Sequence, residues 1–387
     1  MKTLTGLTWQ NPRGERPLLA SAREFAAKRS GVSIEWQAKP WYAFEEALMS
    51  ALSNPGQDYD LVMFDHPWTG SLAASGALHP WDELMPAEEL LEVRSRTVAP
   101  SYDSYNWNER QWGIPLDAAC HAGLFRCDLV EAKDLPRSWD TVAIWAARQR
   151  KTGLRHPLVL SVEGVLGSCL FLSMMASLGH PIDVREGGVR LDRDAAAKVL
   201  KTILELLDFT PPGSTHWGPW DIYDYLCESD DTAYSPSIFA YVNYFSSEGR
   251  GNALRLWETP GFATKRSTPI LGGVGLGILK KCKHTDLATE YARYLISDQV
   301  QAHLFPSNSG QPAGLAAWED PELDQEFNGF YSALADEMAH AYTRPRMPGF
   351  HWLELEIGRI LQLCWDDEVT ASATIERLSE IKSECYA

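Results

Sequence analysis

The chain has 387 residues, a formal net charge of −17 from 52 acidic and 35 basic side chains, 45% hydrophobic residues and 15 tryptophans. Such a composition excludes a disordered chain, and the length is too great for one hydrophobic core and calls for two domains. The excess of acid repels phosphate backbones and anionic lipid heads, which speaks against nucleic acid or a membrane surface as a partner.

In chain order, residues 4–9 read as a strand, followed by the turn-forming Asn11-Pro12-Arg13-Gly14 and a helical pattern over 18–28. Residues 32–37 are the next expected strand, 44–52 a helix, and 59–64 an apolar strand that stops at Asp65-His66-Pro67-Trp68. The opening order β-α-β-α-β marks a mostly parallel sheet covered by helices. Ligands of such sheets bind beyond the carboxyl ends of the strands, here at residues 9–13 and 65–68. An extended stretch follows from Gln111-Trp112-Gly113-Ile114-Pro115 to Phe125, and Ser138 is placed to cap a helix reaching Arg148. Residues 165–178 are apolar throughout, yet fall short of the roughly 20 residues of a bilayer span. They are expected to form a buried helix, with no membrane insertion. After an amphipathic pattern at 195–207 comes an aromatic cluster, His216-Trp217-Gly218-Pro219-Trp220 with Tyr223, Tyr225, Tyr234, Tyr241 and Tyr244. A glycine-rich strand at 271–278 leads to a helix at 287–296, and helical patterns around 325–338, 353–364 and 373–381 finish the chain.

The seven cysteines, Cys120, Cys127, Cys169, Cys227, Cys282, Cys364 and Cys385, are scattered and contain no C-x-x-C pair. That argues against a zinc knuckle or a disulfide framework and for a reducing compartment. Met1-Lys2-Thr3-Leu4 runs into a strand without an apolar signal region, so the expected location is cytoplasmic; a chain trimmed of its signal would begin the same way and belong to the periplasm or cell envelope.

Several pieces together carry a family resemblance: the strand ending in Asp65, Trp112-Gly113-Ile114-Pro115-Leu116-Asp117, Ser138-Trp139-Asp140, Gly272-Gly273-Val274-Gly275-Leu276-Gly277-Ile278, Gly310-Gln311-Pro312 and Arg344-Pro345-Arg346-Met347-Pro348. Their order resembles the solute-binding proteins of ABC importers, in the carbohydrate-binding branch related to maltose- and glycerol-phosphate-binding proteins. Asn11-Pro12-Arg13-Gly14, Asp65-His66-Pro67, Gly310-Gln311-Pro312 and Ala317-Trp318-Glu319-Asp320 resemble a subgroup that lacks an export signal. The resemblance implies an α/β, periplasmic-binding-protein-like fold of type II, with two discontinuous lobes joined by hinge strands around a ligand cleft. Lobe one is expected to be 1–116 plus 265–312, and lobe two 117–264 plus 313–387. It also implies a small-molecule ligand, an ABC permease as partner, a monomer, and no cofactor.

A sugar offers apolar ring faces and fixed hydroxyls, so its receptor needs aromatic plates and bidentate polar groups. The candidates for binding are Trp9, Gln10, Arg13, Asp65, His66, Trp68, Asp117, His121, Trp217, Trp220, Tyr241, Gly273 and Arg346, with Tyr244 as a further plate and Trp9 and Trp217 expected to face one cavity. Trp139, Trp145 and Trp365 lie on helical patterns and read as packing. The run Gly272 to Gly277 departs from G-x-G-x-x-G and reads as close backbone approach, not a dinucleotide loop. Arg344 could pair a carboxylate. An alternative reading makes the chain a cytoplasmic enzyme on the same fold, with Asp65, His66, Asp117 and His121 doing acid/base work or holding a divalent metal.

Overall fold

The computed structural model describes residues 1–53, 59–185, 188–245, 253–263 and 265–382, so Cys385 lies outside the described residues. In chain order the elements that position the candidate residues are β1 (Lys2–Trp9), α1 (Pro12–Ala27), β2 (Val32–Lys39), α2 (Trp41–Ser53), β3 (Leu61–Asp65), α3 (Thr69–Ala74), β4 (Leu78–His79), β5 (Ile114–Arg126), α4 (Trp139–Thr152) and α5 (Val165–Leu178). They continue with α6 (Arg193–Leu207), α7 (Pro219–Glu228), β6 (Tyr234–Phe239), β7 (Leu254–Trp257), β8 (Leu271–Leu279), α8 (Thr285–Leu295), α9 (Phe330–Ala339), α10 (Phe350–Trp365) and α11 (Ala371–Glu380).

The chain divides into two compact units. Unit one is Met1–Ala119, Gly272–Gln325 and Arg346–Pro348; unit two is Cys120–Leu271, Glu326–Pro345 and Gly349–Ala387. The chain thus passes from one to the other at 119/120, 271/272, 325/326, 345/346 and 348/349.

In unit one, β1 runs parallel to β2 from Lys2↔Val32 to Trp9↔Lys39, and parallel to β3 at Gly6↔Leu61. β3 is buried on both faces, which is why Leu61-Val62-Met63-Phe64 is a continuous apolar run and not an alternating one. β8 then pairs antiparallel with β3, Val274 opposite Asp65, and with β4. The sheet is therefore mixed: β8 arrives from another part of the chain and needs no βαβ crossover to lie beside β3. The core includes Leu4, Leu18, Phe25, Met63, Trp81, Leu276 and Tyr291. The Tyr291 hydroxyl lies 2.7 Å from Ser21 Oγ and accepts from Trp36 Nε1 at 3.1 Å.

Helix α1 begins at Pro12, a turn and a half before the expected start. Asn11-Pro12-Arg13-Gly14 is not a separate turn but the cap and first turn of the helix, with Asn11 Oδ1 accepting the Arg13 N–H at 2.9 Å. Pro17 inside the helix hid this start, because proline reads as a break in a helical pattern.

In unit two, the later part of β5 pairs antiparallel with β6 and β7. α4 is capped by Ser138, α5 occupies the expected span and is buried nearly all round, and Trp139, Trp145 and Trp365 are buried. Among the described residues no helix is long and apolar enough to cross a membrane.

Candidate functional site

In unit one, β1 ends at Trp9 and the chain turns straight into α1, so Trp9, Gln10 and Arg13 share one connection. Gln10 is exposed; Trp9 is half-buried, its indole lying over Gly14, where any Cβ would overlap the ring. Arg13 is 7% exposed and donates from Nε to Asp117 Oδ2 at 2.6 Å and from Nη2 to Asp117 Oδ1. Asp117, on β5, is 4% exposed. Burial pushes its carboxyl above the usual range against the pull of Arg13, and the nearby charge of Asp65 adds to the rise.

Asp65 closes β3. Its Oδ1 accepts the His66 N–H at 2.7 Å and lies 3.0 Å from His66 Nδ1. His66 and Trp68 occupy a single 3₁₀ turn and are buried, whereas the Asp65 side chain keeps 23% of its surface exposed. Of these three it is Asp65 that solvent reaches. The Tyr105 hydroxyl sits between the carbonyls of Phe64, at 3.3 Å, and Gly273, at 3.2 Å, and so ties β3 to β8. Gly273 has φ of 105°, and a Cβ there would overlap the Asp117 carbonyl, so this position requires glycine. Gln311 is fully buried, its Nε2 donating to the Ala118 carbonyl at 2.8 Å, which makes Gly310-Gln311-Pro312 a partner of β5. Arg346 donates to the Asp103 carbonyl at 2.6 Å, and burial pulls its guanidinium below the usual range.

In unit two, Pro219 starts α7, which places Trp220 and Tyr223 three apart on one face. The Trp220 ring lies 4.3 Å from Tyr241, Tyr241 meets Tyr223 edge-on at 5.8 Å, and Tyr223 stacks on Tyr244 at 4.4 Å. Tyr244 donates to Asp224 Oδ1 at 3.0 Å. Trp217, just before the helix, packs on Tyr225 at 4.8 Å. Tyr223 is buried while Trp217, Trp220, Tyr241 and Tyr244 are half-buried, so unit two presents a row of partly exposed rings over a buried one.

His121 is fully buried, with Nδ1 2.9 Å from Ser237 Oγ and its ring edge-on to Phe239 at 4.3 Å. Burial and the charge of Arg344 pull its pKa down to about 3, so the imidazole is neutral. Arg344 does pair a carboxylate: its Nη1 donates to both oxygens of Glu354 at 3.1 Å, both side chains being 4% exposed. Among the described residues no three His, Cys, Asp or Glu side chains gather as metal ligands. The sequence carries no spacing signal for Tyr105 or Asp224, each a lone side chain without a periodic partner. It also gave no sign of a cavity of about 210 Å³ in unit one, where Arg293 pairs with Glu89 and Arg96 with Glu92.

A family model described as bacterial extracellular solute-binding protein matches residues 11–302. Among solved structures, the maltose-bound MalE3 of T. maritima is similar at 20% identity, a TM-score of 0.83 and 98% coverage of both chains. A solute-binding protein of an ABC transporter from Agrobacterium radiobacter K84, in complex with ribitol, is similar at 16% identity, a TM-score of 0.85 and again 98% coverage of both. The GacH receptor of Streptomyces glaucescens GLA.O, described with acarbose, is similar at 17% identity and a TM-score of 0.79, over 99% of this chain and 97% of that one. At these identities the likeness establishes the periplasmic-binding-protein-like fold.

Proposed function

Since the chain belongs to the bacterial extracellular solute-binding protein family, we propose that it binds a carbohydrate-like solute, a sugar or polyol, and delivers it to an ABC permease as a monomer. The observation that carries this reading is the row of partly exposed rings formed by Trp220, Tyr241 and Tyr244 over Tyr223. Such plates match the apolar faces of pyranose rings and the carbon backbone of alditols. Taken by itself, unit one offers Asp65, which solvent reaches, as an acceptor for hydroxyl protons, and Trp9 as a half-buried ring. The maltose, ribitol and acarbose of the similar proteins belong to this chemical class.

Isothermal titration calorimetry against maltose, ribitol, mannitol and acarbose tests the reading, with a dissociation constant in the micromolar range or below expected for at least one of them. Trp220→Ala should weaken that solute about tenfold, in keeping with the roughly 0.5–1.5 kcal/mol that an aromatic contact adds beyond its buried area, while the melting temperature stays near that of the parent. Failure of all four to bind more tightly than millimolar would end the carbohydrate reading.

A further inference from the structure

Proteins hold anions with a small set of devices: the unsatisfied N–H groups of a helix start, guanidinium forks, and backbone nests. In unit one the loops after β1 and β3 have these devices closed by their own sequence. At the start of α1, Pro12 has no N–H, the Arg13 N–H is taken by Asn11 Oδ1 at 2.9 Å, and those of Gly14 and Glu15 both go to the Asn11 carbonyl at 2.9 Å. Glu15 adds a carboxylate to the same turn. The loop after β3 repeats the arrangement, with the His66 N–H held by Asp65 Oδ1 and Pro67 contributing none. Both loops are an Asx cap with proline in the first turn, and neither leaves its opening amides for a ligand.

The guanidinium groups are held as well. Arg13 is clamped in two-point fashion by Asp117, and Arg346 is turned onto the Asp103 carbonyl. Arg13 and Asp117 offset one another as a buried pair, which leaves Asp65, its Oδ1 3.0 Å from His66 Nδ1, as the exposed carboxyl beside them. An independent observation in unit two has the same sign. Residues 202–249, which supply Trp217, Trp220, Tyr223, Tyr241 and Tyr244, contain no lysine or arginine, whereas Asp221 and Asp224 lie on α7 beside the rings.

Resting on the carbohydrate reading above, we propose that the chain selects neutral polyhydroxyl solutes and turns away their carboxylated and phosphorylated counterparts. A hydroxyl can donate to Asp65 without bringing charge; a carboxylate or phosphate meets a like charge and finds the opening amides of both loops and the Arg13 and Arg346 guanidiniums already engaged.

Calorimetry with matched pairs tests this: maltose against maltobionate, mannitol against mannonate, and mannitol against mannitol 1-phosphate, at low and at high salt. The neutral member of any pair that binds should be at least about tenfold tighter at low salt, with the gap narrowing as salt screens the repulsion. In Asp65→Asn, which leaves the buried Arg13 and Asp117 pair intact, the gap should narrow already at low salt. Equal or tighter binding of the anion, or a gap indifferent to both salt and Asp65→Asn, would overturn the selectivity and leave solute binding standing. If Asp65→Asn does not melt cooperatively, the salt dependence of the parent protein decides alone. Absence of binding by every member of every pair would instead overturn the carbohydrate reading and this inference with it.

Discussion

Glu337 on α9 is 3% exposed, and its Oε2 accepts the Thr259 N–H at 3.1 Å. Burial pushes its carboxyl up to about 7 and the charge of Glu258 adds to the rise, while Thr259 and Arg266 pull the other way. In the unfolded chain the same carboxyl titrates near 4.5, so between these values the folded protein holds a proton that the unfolded one has lost. Its contribution is therefore fully present below pH 4.5 and is lost as pH rises through 7, a swing on the order of 3 kcal/mol. His121 and His351, both pulled down to about 3 by burial, act in the opposite sense and add stability as pH rises from there toward 6.5. A difference profile isolates the carboxyl. The urea-unfolding free energy of the parent minus that of Glu337→Gln should fall between pH 5 and pH 8; parallel profiles would mean that Glu337 titrates as an ordinary glutamate. None of this was legible in the sequence, where Glu337 is one acidic residue in a helical pattern. The Arg13 and Asp117 pair was legible only in part: each stood out as a polar group near a strand end, but no local pattern ties residues 104 positions apart.

Among elements, what the sequence disclosed depended on whether local periodicity decided the outcome. α5 could be read to the residue because its apolar run is bounded by Gly164 and Gly179, both with positive φ. The start of α1 could not, since a capped first turn carrying Pro12, followed by Pro17 inside the helix, looks like a loop until its hydrogen bonds are seen. The direction of β8 was equally hidden, because a strand's sequence does not state which way its neighbour runs. α5 and α10 also show how a single residue sets the distance between two elements. A Cβ at Gly358 of α10 would overlap the Gly164 carbonyl at the start of α5 and meet Ser168 Oγ at 3.0 Å. Gly358→Ala should accordingly force the helices apart at a cost of about 1–3 kcal/mol, although alanine is the better helix former. Equilibrium denaturation measures it, and an unchanged or raised midpoint would show that the two helices do not approach so closely.

For the whole molecule, the resemblance conveyed the two-unit organisation, but the composition of each unit rests on long-range pairing. Unit one is built from three stretches, and its strand β8 lies in the second of them, beside β3 and β4. Residues 1–119 expressed alone should consequently fail to give a cooperative thermal transition by circular dichroism, and adding 272–325 as a second chain should restore one. A sharp transition from 1–119 alone would mean that β1, β2 and β3 suffice for a core. The same pairing has a consequence during synthesis. β3 leaves the ribosome with the edge that β8 will occupy still open, and it stays open until all of Cys120–Leu271 has been made. At roughly 5–20 residues per second that interval is on the order of ten seconds, during which an apolar strand edge is available to other nascent chains. The late strand makes unit one, though it contains the N-terminus, the unit that must wait, and it gives a holdase chaperone a defined interval and a defined edge to cover.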